Sequence, residues 1–222
     1  METLLIERLK AGITYRSATM NTIDYKLETG LKFINEIGKI FESRFKIDED
    51  NEDVINNLIL YFTGNQGKYD ITKGLFLHGE IGCGKTLLFK IFRQFTNTIL
   101  RQNSFQFVSA RGIVKNFLIE GMSGLDKYSY NFQNERKIMT YCFDDVGVES
   151  ISSKHYGSEL NVVAEILLDR YDILKNYGKF THITSNLTVS NLEKIYGNRV
   201  RSRLNEMFND IYLKGSDRRR RK

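Results

Sequence analysis

The sequence predicts an α/β fold in which a parallel sheet is flanked by helices. Three observations support this class: short apolar runs alternate with longer amphipathic ones, a glycine-rich loop follows the first short run, and a later short run ends in two carboxylates. Such alternation is typical of strand–helix–strand units, because the crossover helices cover the faces of a parallel sheet.

Two amphipathic segments precede the first predicted strand. Apolar residues recur at helical spacing from about 29 to 45, and again from about 54 to 62, on the far side of an acidic break at 48–51. We therefore predict a small helical N-terminal extension over residues 1–64, a main domain over 65–215 and a basic tail over 216–222.

Four strands and two long helices are predicted in the main domain. The strands are short and apolar, whereas the helical segments carry apolar residues at a period near 3.6. The predicted strands cover about 75–77, 105–108, 138–143 and 180–184, and the helices cover about 86–100 and 160–174.

The loop after the first predicted strand matches the Walker A pattern. It consists of Gly79, Glu80, Ile81, Gly82, Cys83, Gly84, Lys85 and Thr86. Glycines there let backbone N–H groups approach phosphate oxygens, and the following helix N-terminus adds partial positive charge. We expect the loop to bind the phosphates of ATP, with Lys85 at the β- and γ-phosphates and the Thr86 hydroxyl on Mg²⁺.

Polar side chains end two later strands. Asp144 and Asp145 follow an apolar run, and Asn186 follows the next predicted strand. Carboxyl ends of parallel strands meet at one edge of the sheet, beside the phosphate loop. Asp144 would hold Mg²⁺ through water, Asp145 would orient or deprotonate the attacking water, and Asn186 would position it. Without the Walker A match, the two aspartates would indicate an ordinary turn at a strand end.

Three arginines alternate near the C-terminus. In a helix Arg199 and Arg203 share one face and Arg201 points away, so the three cannot share one partner. Either they form a solvated face, or one of them reaches the γ-phosphate held by a neighbouring subunit.

The net charge of +6 is concentrated at the C-terminus. Without the last five residues, the chain has 28 basic and 27 acidic side chains and is nearly neutral.

The cysteine content and the N-terminal sequence exclude several classes of protein. Two cysteines are too few for a disulfide scaffold or a four-cysteine zinc site. The acidic N-terminus lacks a secretory signal, and no apolar run is long enough to cross a bilayer. We expect a cytoplasmic protein without membrane contact.

Four motifs together resemble a known family. Residues 74–86, 143–147, 184–187 and 196–204 match, in order and spacing, the AAA+ ATPases of the DnaC-like helicase-loader type, with the IstB-like transposition helpers close by. The resemblance implies a Mg²⁺-dependent ATPase that is slow unless assembled into a ring or spiral. It implies sensor 1 at Asn186 and an arginine finger at Arg203, with Arg199 as second choice.

The resemblance also implies partners. This family type binds single-stranded DNA on helices just before Walker B and contacts a replicative helicase through N-terminal helices. The DNA candidates are cations and aromatics, for each of which a solvated surface is the alternative: Lys115, Lys127, Tyr128, Tyr130, Arg136 and Lys137. We expect no full C-terminal helical lid, and Arg218 and Arg219 are the candidates for sensor 2.

The function predicted from sequence is ATP-dependent loading of a replicative helicase. A transposition helper that presents target DNA is the first alternative. A nucleotide-gated DNA-binding scaffold that barely hydrolyses ATP is the second, and a P-loop kinase is a weaker third.

Overall fold

The computed structural model of the protein describes residues 22–129, 138–149, 153–155 and 158–220. Its centre is a five-stranded parallel sheet flanked by seven helices, which confirms the predicted fold class. The strands are β1 (Gly74–His78), β2 (Gln106–Ser109), β3 (Tyr141–Asp144), β6 (Thr181–Ser185) and β7 (Phe208–Tyr212), in the order β2-β3-β6-β1-β7. A separate antiparallel pair consists of β4 (Ser153–His155) and β5 (Ser158–Leu160).

The helices fall into two packed groups. The first contains α1 (Leu27–Phe41), α2 (Glu52–Phe62) and α3 (Lys85–Gln94), which continues as a wider turn over Phe95–Leu100. The second contains α4 (Ala110–Glu120), α5 (Val162–Tyr177), α6 (Val189–Tyr196) and α7 (Asn198–Met207). In the described part of the chain, no helix has both the length and the apolarity that a bilayer span requires.

One apolar core joins the N-terminal helices to the sheet. Ile34 of α1 and Ile55 and Phe62 of α2 are fully buried in the same cluster as the central strands. Phe62 stacks on Phe92 of α3 and on Phe105 beside β2, with ring centroids 5.3 and 5.6 Å apart. Burying such large apolar side chains favours folding by about 1.5–3 kcal/mol each. The division proposed at residue 64 therefore separates segments that share one core.

The sheet register places the functional motifs side by side. Strand β6 pairs with β1 on one side and with β3 on the other, all in parallel. The residues at the ends of β1, β3 and β6, and those just after them, therefore meet at the carboxyl edge of the sheet, where ligands bind in open α/β sheets. Those residues are the glycine-rich loop, the aspartate pair and Asn186.

Several observed boundaries differ from the predicted ones. Helix α1 ends at Phe41 rather than near 45, because Glu42 adopts an extended conformation and the chain turns back so that the Phe45 ring lies against Gly38. Strand β3 begins at Tyr141 rather than 138. The sheet also gains a fifth strand, β7, at its edge, where polar side chains such as Asn209 and Asp210 obscure the strand pattern.

The predicted basic tail is partly docked. The backbone N–H of Arg218 donates to the Gly82 carbonyl at 3.0 Å. The guanidinium of Arg218 forms a bidentate pair with Asp48, at 2.8 and 2.9 Å. The tail prediction, based on charge alone, did not include this contact, because Asp48 lies in the distant α1–α2 connection.

Candidate functional site

The glycine-rich loop spans 79–84 between β1 and α3. Gly79, Gly82 and Gly84 have φ values of 152°, 82° and 109°, a region that L side chains rarely adopt. A Cβ at Gly79 would lie 2.4 Å from the Leu213 carbonyl oxygen, and one at Gly82 would lie 2.0 Å from a carboxylate oxygen of Asp217. Glycine is thus required both by the turn and by the C-terminal segment packed against it.

Lys85 is a buried cation at the start of α3, with 5% of its surface exposed. Its Nζ donates to the carbonyl oxygens of Gly79 and Glu80, both at 2.8 Å, and lies 3.7 Å from the Cys83 sulfur. Within the described residues, no carboxylate forms a salt bridge with Lys85. A buried ammonium held only by neutral groups suits an anionic ligand, since buried charges are normally paired.

Two hydroxyl groups converge on the first aspartate. Thr86 and Thr184 both donate to Oδ1 of Asp144, at 2.9 and 2.7 Å. Burial raises the pKa of Asp144, while the two hydroxyl bonds act in the opposite direction. A hydroxyl beside a carboxylate at the end of a phosphate loop is a donor set that suits Mg²⁺, which prefers oxygen ligands.

Asp145 lies in a strained turn at the end of β3. Its φ of 57° is positive, which is uncommon outside glycine, and its backbone N–H donates to the Thr184 hydroxyl at 2.9 Å. Asp145 and Asn186 both line the cavity above the phosphate loop. The structure therefore places in one cavity the two side chains that are predicted to deprotonate and to position the attacking water.

The cavity above the loop measures about 430 Å³. It is formed by residues from the end of α1, the phosphate loop, α3, the ends of β3 and β6, and the C-terminal segment: Phe41, Glu42, Ile81, Gly82, Gly84, Lys85, Thr86, Leu87, Lys90, Asp145, Asn186, Arg218 and Arg219. An adjoining cavity of about 100 Å³ has a mainly apolar wall that includes Phe45, Leu87, Leu88 and Leu213. Cys83 and Arg218 lie at its boundary with the loop.

Both sensor 2 candidates border the larger cavity. Arg218 is paired with Asp48 and lies 3.7 Å from Asp50, and these contacts raise its pKa. Arg219 forms a bidentate pair with Asp217 and is largely exposed. The structure thus places both candidates in the lining of the cavity.

The arginines of α7 do not line this cavity. The Arg203 guanidinium lies over the Tyr171 ring at 5.1 Å, and Arg201 pairs with Glu193 at 2.8 Å. Arg199 is exposed and forms no hydrogen bond or ion pair within the described residues.

The candidates for DNA contact differ in how exposed their side chains are. Lys115 is exposed on α4, beside Arg111, and Lys127 is exposed with its ammonium 5.2 Å from the centre of the Tyr128 ring. Tyr128 is 5% exposed and packs edge-on against Tyr141, so its ring offers no free face to a base. The remaining candidates, Tyr130, Arg136 and Lys137, lie outside the described residues.

Sequence reasoning missed Thr184 as part of the site. Thr184 belongs to the motif 184–187, in which the sequence indicates Asn186 as the site residue because its amide follows the strand. An uncharged hydroxyl at the end of a buried strand gives little signal. Only the parallel pairing of β6 with β3 reveals that it lies against the aspartate pair.

No protein-family model matches the sequence, and no curated protein matches it. Solved structures, in contrast, match the fold. DnaI matches with a TM-score of 0.52 and 21% identity, over 90% of this chain and 100% of that chain. A candidate primosome component from Streptococcus pyogenes serotype M3 gives a TM-score of 0.54 and 18% identity, over 80% and 87%.

A third match carries an ATP analogue. DnaA from Aquifex aeolicus, bound to AMPPCP, gives a TM-score of 0.51 and 19% identity, over 79% of this chain and 51% of that chain. At these identities the likeness establishes architecture. The chain has the P-loop fold of AAA+ proteins such as DnaI and DnaA.

Proposed function

We propose that the chain is a Mg²⁺-dependent ATPase that binds single-stranded DNA and loads a replicative helicase. The observation that carries the ATPase proposal is the buried Lys85 ammonium, which has only neutral partners among the described residues and borders a cavity of about 430 Å³. The replication role rests on the motifs and on the fold shared with DnaI and DnaA.

Nucleotide binding would use the two adjoining cavities. Lys85 would exchange its bonds to the Gly79 and Glu80 carbonyls for bonds to phosphate oxygens, which are charged and therefore stronger acceptors. The apolar wall of the smaller cavity, with Phe45 and Leu87, suits the base. The loop glycines would let backbone N–H groups approach the phosphates.

Hydrolysis would use the strand-end residues. Mg²⁺, held by Thr86 and through water by Asp144, would offset the charge of the phosphates. Asp145 would accept a proton from a water molecule that attacks the γ-phosphorus, while Asn186 would hold that water by its amide. The bond between the γ-phosphorus and the bridging oxygen breaks, which leaves ADP and phosphate.

An arginine of α7 would complete the site of a neighbouring subunit. Arg203 is the first choice, and Arg199 is the second. The proposal is supported by their position, since neither lines the chain's own cavity. Self-association into a ring or spiral would then be needed for rapid turnover.

The partners would bind away from the cavity. Lys115 and Arg111 form a basic surface on α4 that suits the backbone of single-stranded DNA, and Lys127 adds a further exposed cation. Helix α1 exposes Phe33 and Ile40, which do not line the cavity, at 38% and 83%. An apolar face of this kind suits a helicase contact.

Steady-state ATP turnover tests the enzymatic part of the proposal. We expect the native chain to hydrolyse ATP faster when single-stranded DNA is present, and Asp145→Asn to lose turnover by about 10²-fold while it keeps ATP binding. Equal rates for the two proteins would remove the role of Asp145. ATP binding without turnover by the native chain would favour the scaffold alternative.

Loading of a hexameric helicase onto closed single-stranded circles tests the biological role. We expect this chain to capture the helicase and to load it onto the circles in an ATP-dependent reaction. If the helicase neither binds nor is loaded, the loader proposal fails. Stable binding of ATP and DNA without helicase capture would favour the transposition helper.

A further inference from the structure

Thr184 of β6 lies beside Asp144, the last residue of β3, and Asp145, the first residue after it. Its side chain is fully buried, and its hydroxyl contacts both Asp144 and Asp145. From this geometry we propose that Thr184 is a positioning residue, which sets the orientation of the Asp144 carboxylate and of the Asp145 backbone for Mg²⁺-dependent hydrolysis. The inference rests on the proposed ATPase function and adds a residue to it.

The hydrogen-bond pattern of the hydroxyl permits one arrangement. A threonine hydroxyl has one proton to donate and two lone pairs that accept. An ionised carboxylate can only accept and a backbone N–H can only donate, so the proton points to Oδ1 of Asp144, at 2.7 Å, and the oxygen accepts from Asp145 N–H, at 2.9 Å. Thr184 therefore fixes the relative position of the two aspartates.

The same contact leaves one carboxylate oxygen of Asp144 open. Oδ1 accepts from both Thr184 and Thr86. Within the described residues, Oδ2 has no hydrogen-bond donor. A carboxylate whose first oxygen is held by two hydroxyls presents its second oxygen in a defined direction, as a group that holds metal-bound water must.

The Asp145 turn depends on the same strand. Its positive φ is held by the bond from its N–H to the Thr184 hydroxyl, and the next N–H, of Val146, donates to the Thr184 carbonyl at 2.9 Å. A sparsely populated backbone conformation persists only where neighbours hold it. Removal of the hydroxyl would free the Asp145 N–H and let the turn relax.

The neighbouring hydroxyl of Ser185 has a different role. It donates to the Val146 carbonyl at 2.6 Å and accepts from the Leu187 N–H at 3.0 Å. Ser185 thus supports the loop beyond the aspartates without a recorded bond to either carboxylate. Among the described residues, the bonds to Asp144 and to the Asp145 backbone meet only at Thr184.

Three variants test the proposal. Thr184→Val keeps the shape of the side chain but removes the hydroxyl, whereas Thr184→Ser keeps the hydroxyl. Thr181→Val is the matched control, because Thr181 is buried in the same strand and its hydroxyl accepts from Arg170 Nε at 2.7 Å, away from the aspartates. Circular dichroism and thermal unfolding verify that each variant is folded.

The readouts are the turnover number, the Mg²⁺ concentration for half-maximal turnover, and ATP affinity in EDTA. We expect Thr184→Val to lose turnover by about 10-fold or more and to need several-fold more Mg²⁺, with little change of affinity in EDTA. Thr184→Ser should recover most of this loss. Thr181→Val should lose stability but keep the Mg²⁺ requirement of the native chain.

Equal turnover and equal Mg²⁺ requirement in Thr184→Val and the native chain would overturn the proposal. So would an equal loss in Thr184→Ser, or the same shift of Mg²⁺ requirement in Thr181→Val. If the native chain turns over no ATP, the ATPase function fails by itself. The positioning role is then tested by Mg²⁺-dependent binding of AMPPCP, for which Thr184→Val should again need more Mg²⁺, and an equal requirement would overturn it.

Discussion

His182 is a fully buried titratable residue in the centre of the sheet. Its ring lies 5.2 to 5.8 Å, centroid to centroid, from the rings of Phe62, Phe89 and Phe105, and its Nδ1 accepts from the Leu75 N–H at 3.2 Å. Burial, with a smaller contribution from Arg170, lowers its pKa from 6.5 to about 3. The folded protein therefore holds a neutral imidazole.

This histidine makes stability dependent on pH. The unfolded chain binds a proton below about pH 6.5, whereas the folded chain does not until about pH 3. The part of the unfolding free energy that depends on His182 has its full value above pH 6.5 and is lost as the pH falls toward 3. Between pH 7 and pH 5 the native chain should lose about 2 kcal/mol of unfolding free energy through this group.

The variant His182→Asn isolates the effect. Its side-chain oxygen can replace Nδ1 as acceptor for the Leu75 N–H, but it does not titrate. We expect the unfolding free energy, measured by urea denaturation, to decrease between pH 7 and pH 5 by about 2 kcal/mol less in the variant than in the native chain. An equal loss in both proteins would contradict the assignment.

At the residue scale, the sequence predicts those site residues whose roles are encoded by local spacing. Lys85 and Thr86 follow from one glycine pattern, and Asp144 from a strand end. Thr184 and Arg218 are different, because their contacts join positions 40 and 170 residues apart. Local patterns contain no information about such pairs; the sequence could name Arg218 as a sensor 2 candidate but not its contact with Asp48.

At the scale of elements, the C-terminal segment bridges the phosphate loop and the N-terminal helices. Leu213 N–H donates to the His78 carbonyl and Arg218 N–H to the Gly82 carbonyl, at 2.8 and 3.0 Å. The Arg218 guanidinium then reaches Asp48, between α1 and α2. The side chains of this pair are only 20% and 15% exposed, so solvent screens it weakly.

Breaking this pair should destabilise the protein. Asp48→Asn removes the charge opposite Arg218 and leaves a half-buried guanidinium with weaker partners, which should cost about 1–3 kcal/mol of unfolding free energy. The matched control is Glu36→Gln, because the pair of Glu36 with Lys39 is exposed and should contribute less than about 1 kcal/mol. Urea denaturation gives the loss of unfolding free energy in each variant. Similar small losses in both would show that the Arg218–Asp48 pair contributes little to stability.

Elements with strong periodicity are predicted well from sequence. Helix α2 and strands β1 and β6 are apolar enough to be located within one or two residues. Strand β7 is not predicted from the sequence. As an edge strand it tolerates the polar residues Asn209 and Asp210, and its pairing partner β1 lies far away in the chain. The two short strands β4 and β5 carry no apolar alternation that would indicate them.

At the scale of the whole molecule, the proposed arginine finger needs an assembly of subunits, because it acts on the nucleotide of a neighbour. The cavity contains every predicted catalytic group except an arginine from α7. Arg199 and Arg203 share one face of that helix, and neither lines the cavity of its own chain. The fold class follows from sequence, but subunit arrangement does not, because it depends on surfaces rather than on periodicity.

Mixing experiments identify the acting arginine. Arg203→Ala and Arg199→Ala should both keep ATP affinity, and the variant of the true finger should lose turnover by about 10³-fold. Addition of Lys85→Ala subunits should restore part of that loss, since they supply an arginine to a neighbour that still binds ATP. The control is Arg201→Ala, whose arginine pairs with Glu193 instead. Absence of recovery in every mixture would contradict action between subunits.

We propose above all that the cavity over the glycine-rich loop binds ATP with Mg²⁺ through Lys85. The most direct measurement is equilibrium titration of a fluorescent ATP analogue into the native chain and into Lys85→Ala. We expect saturable binding of one nucleotide per chain, weakened by about 10-fold or more in the variant, because charged hydrogen bonds to phosphate are lost. No saturable binding by the native chain, or equal affinity in the variant, would contradict it.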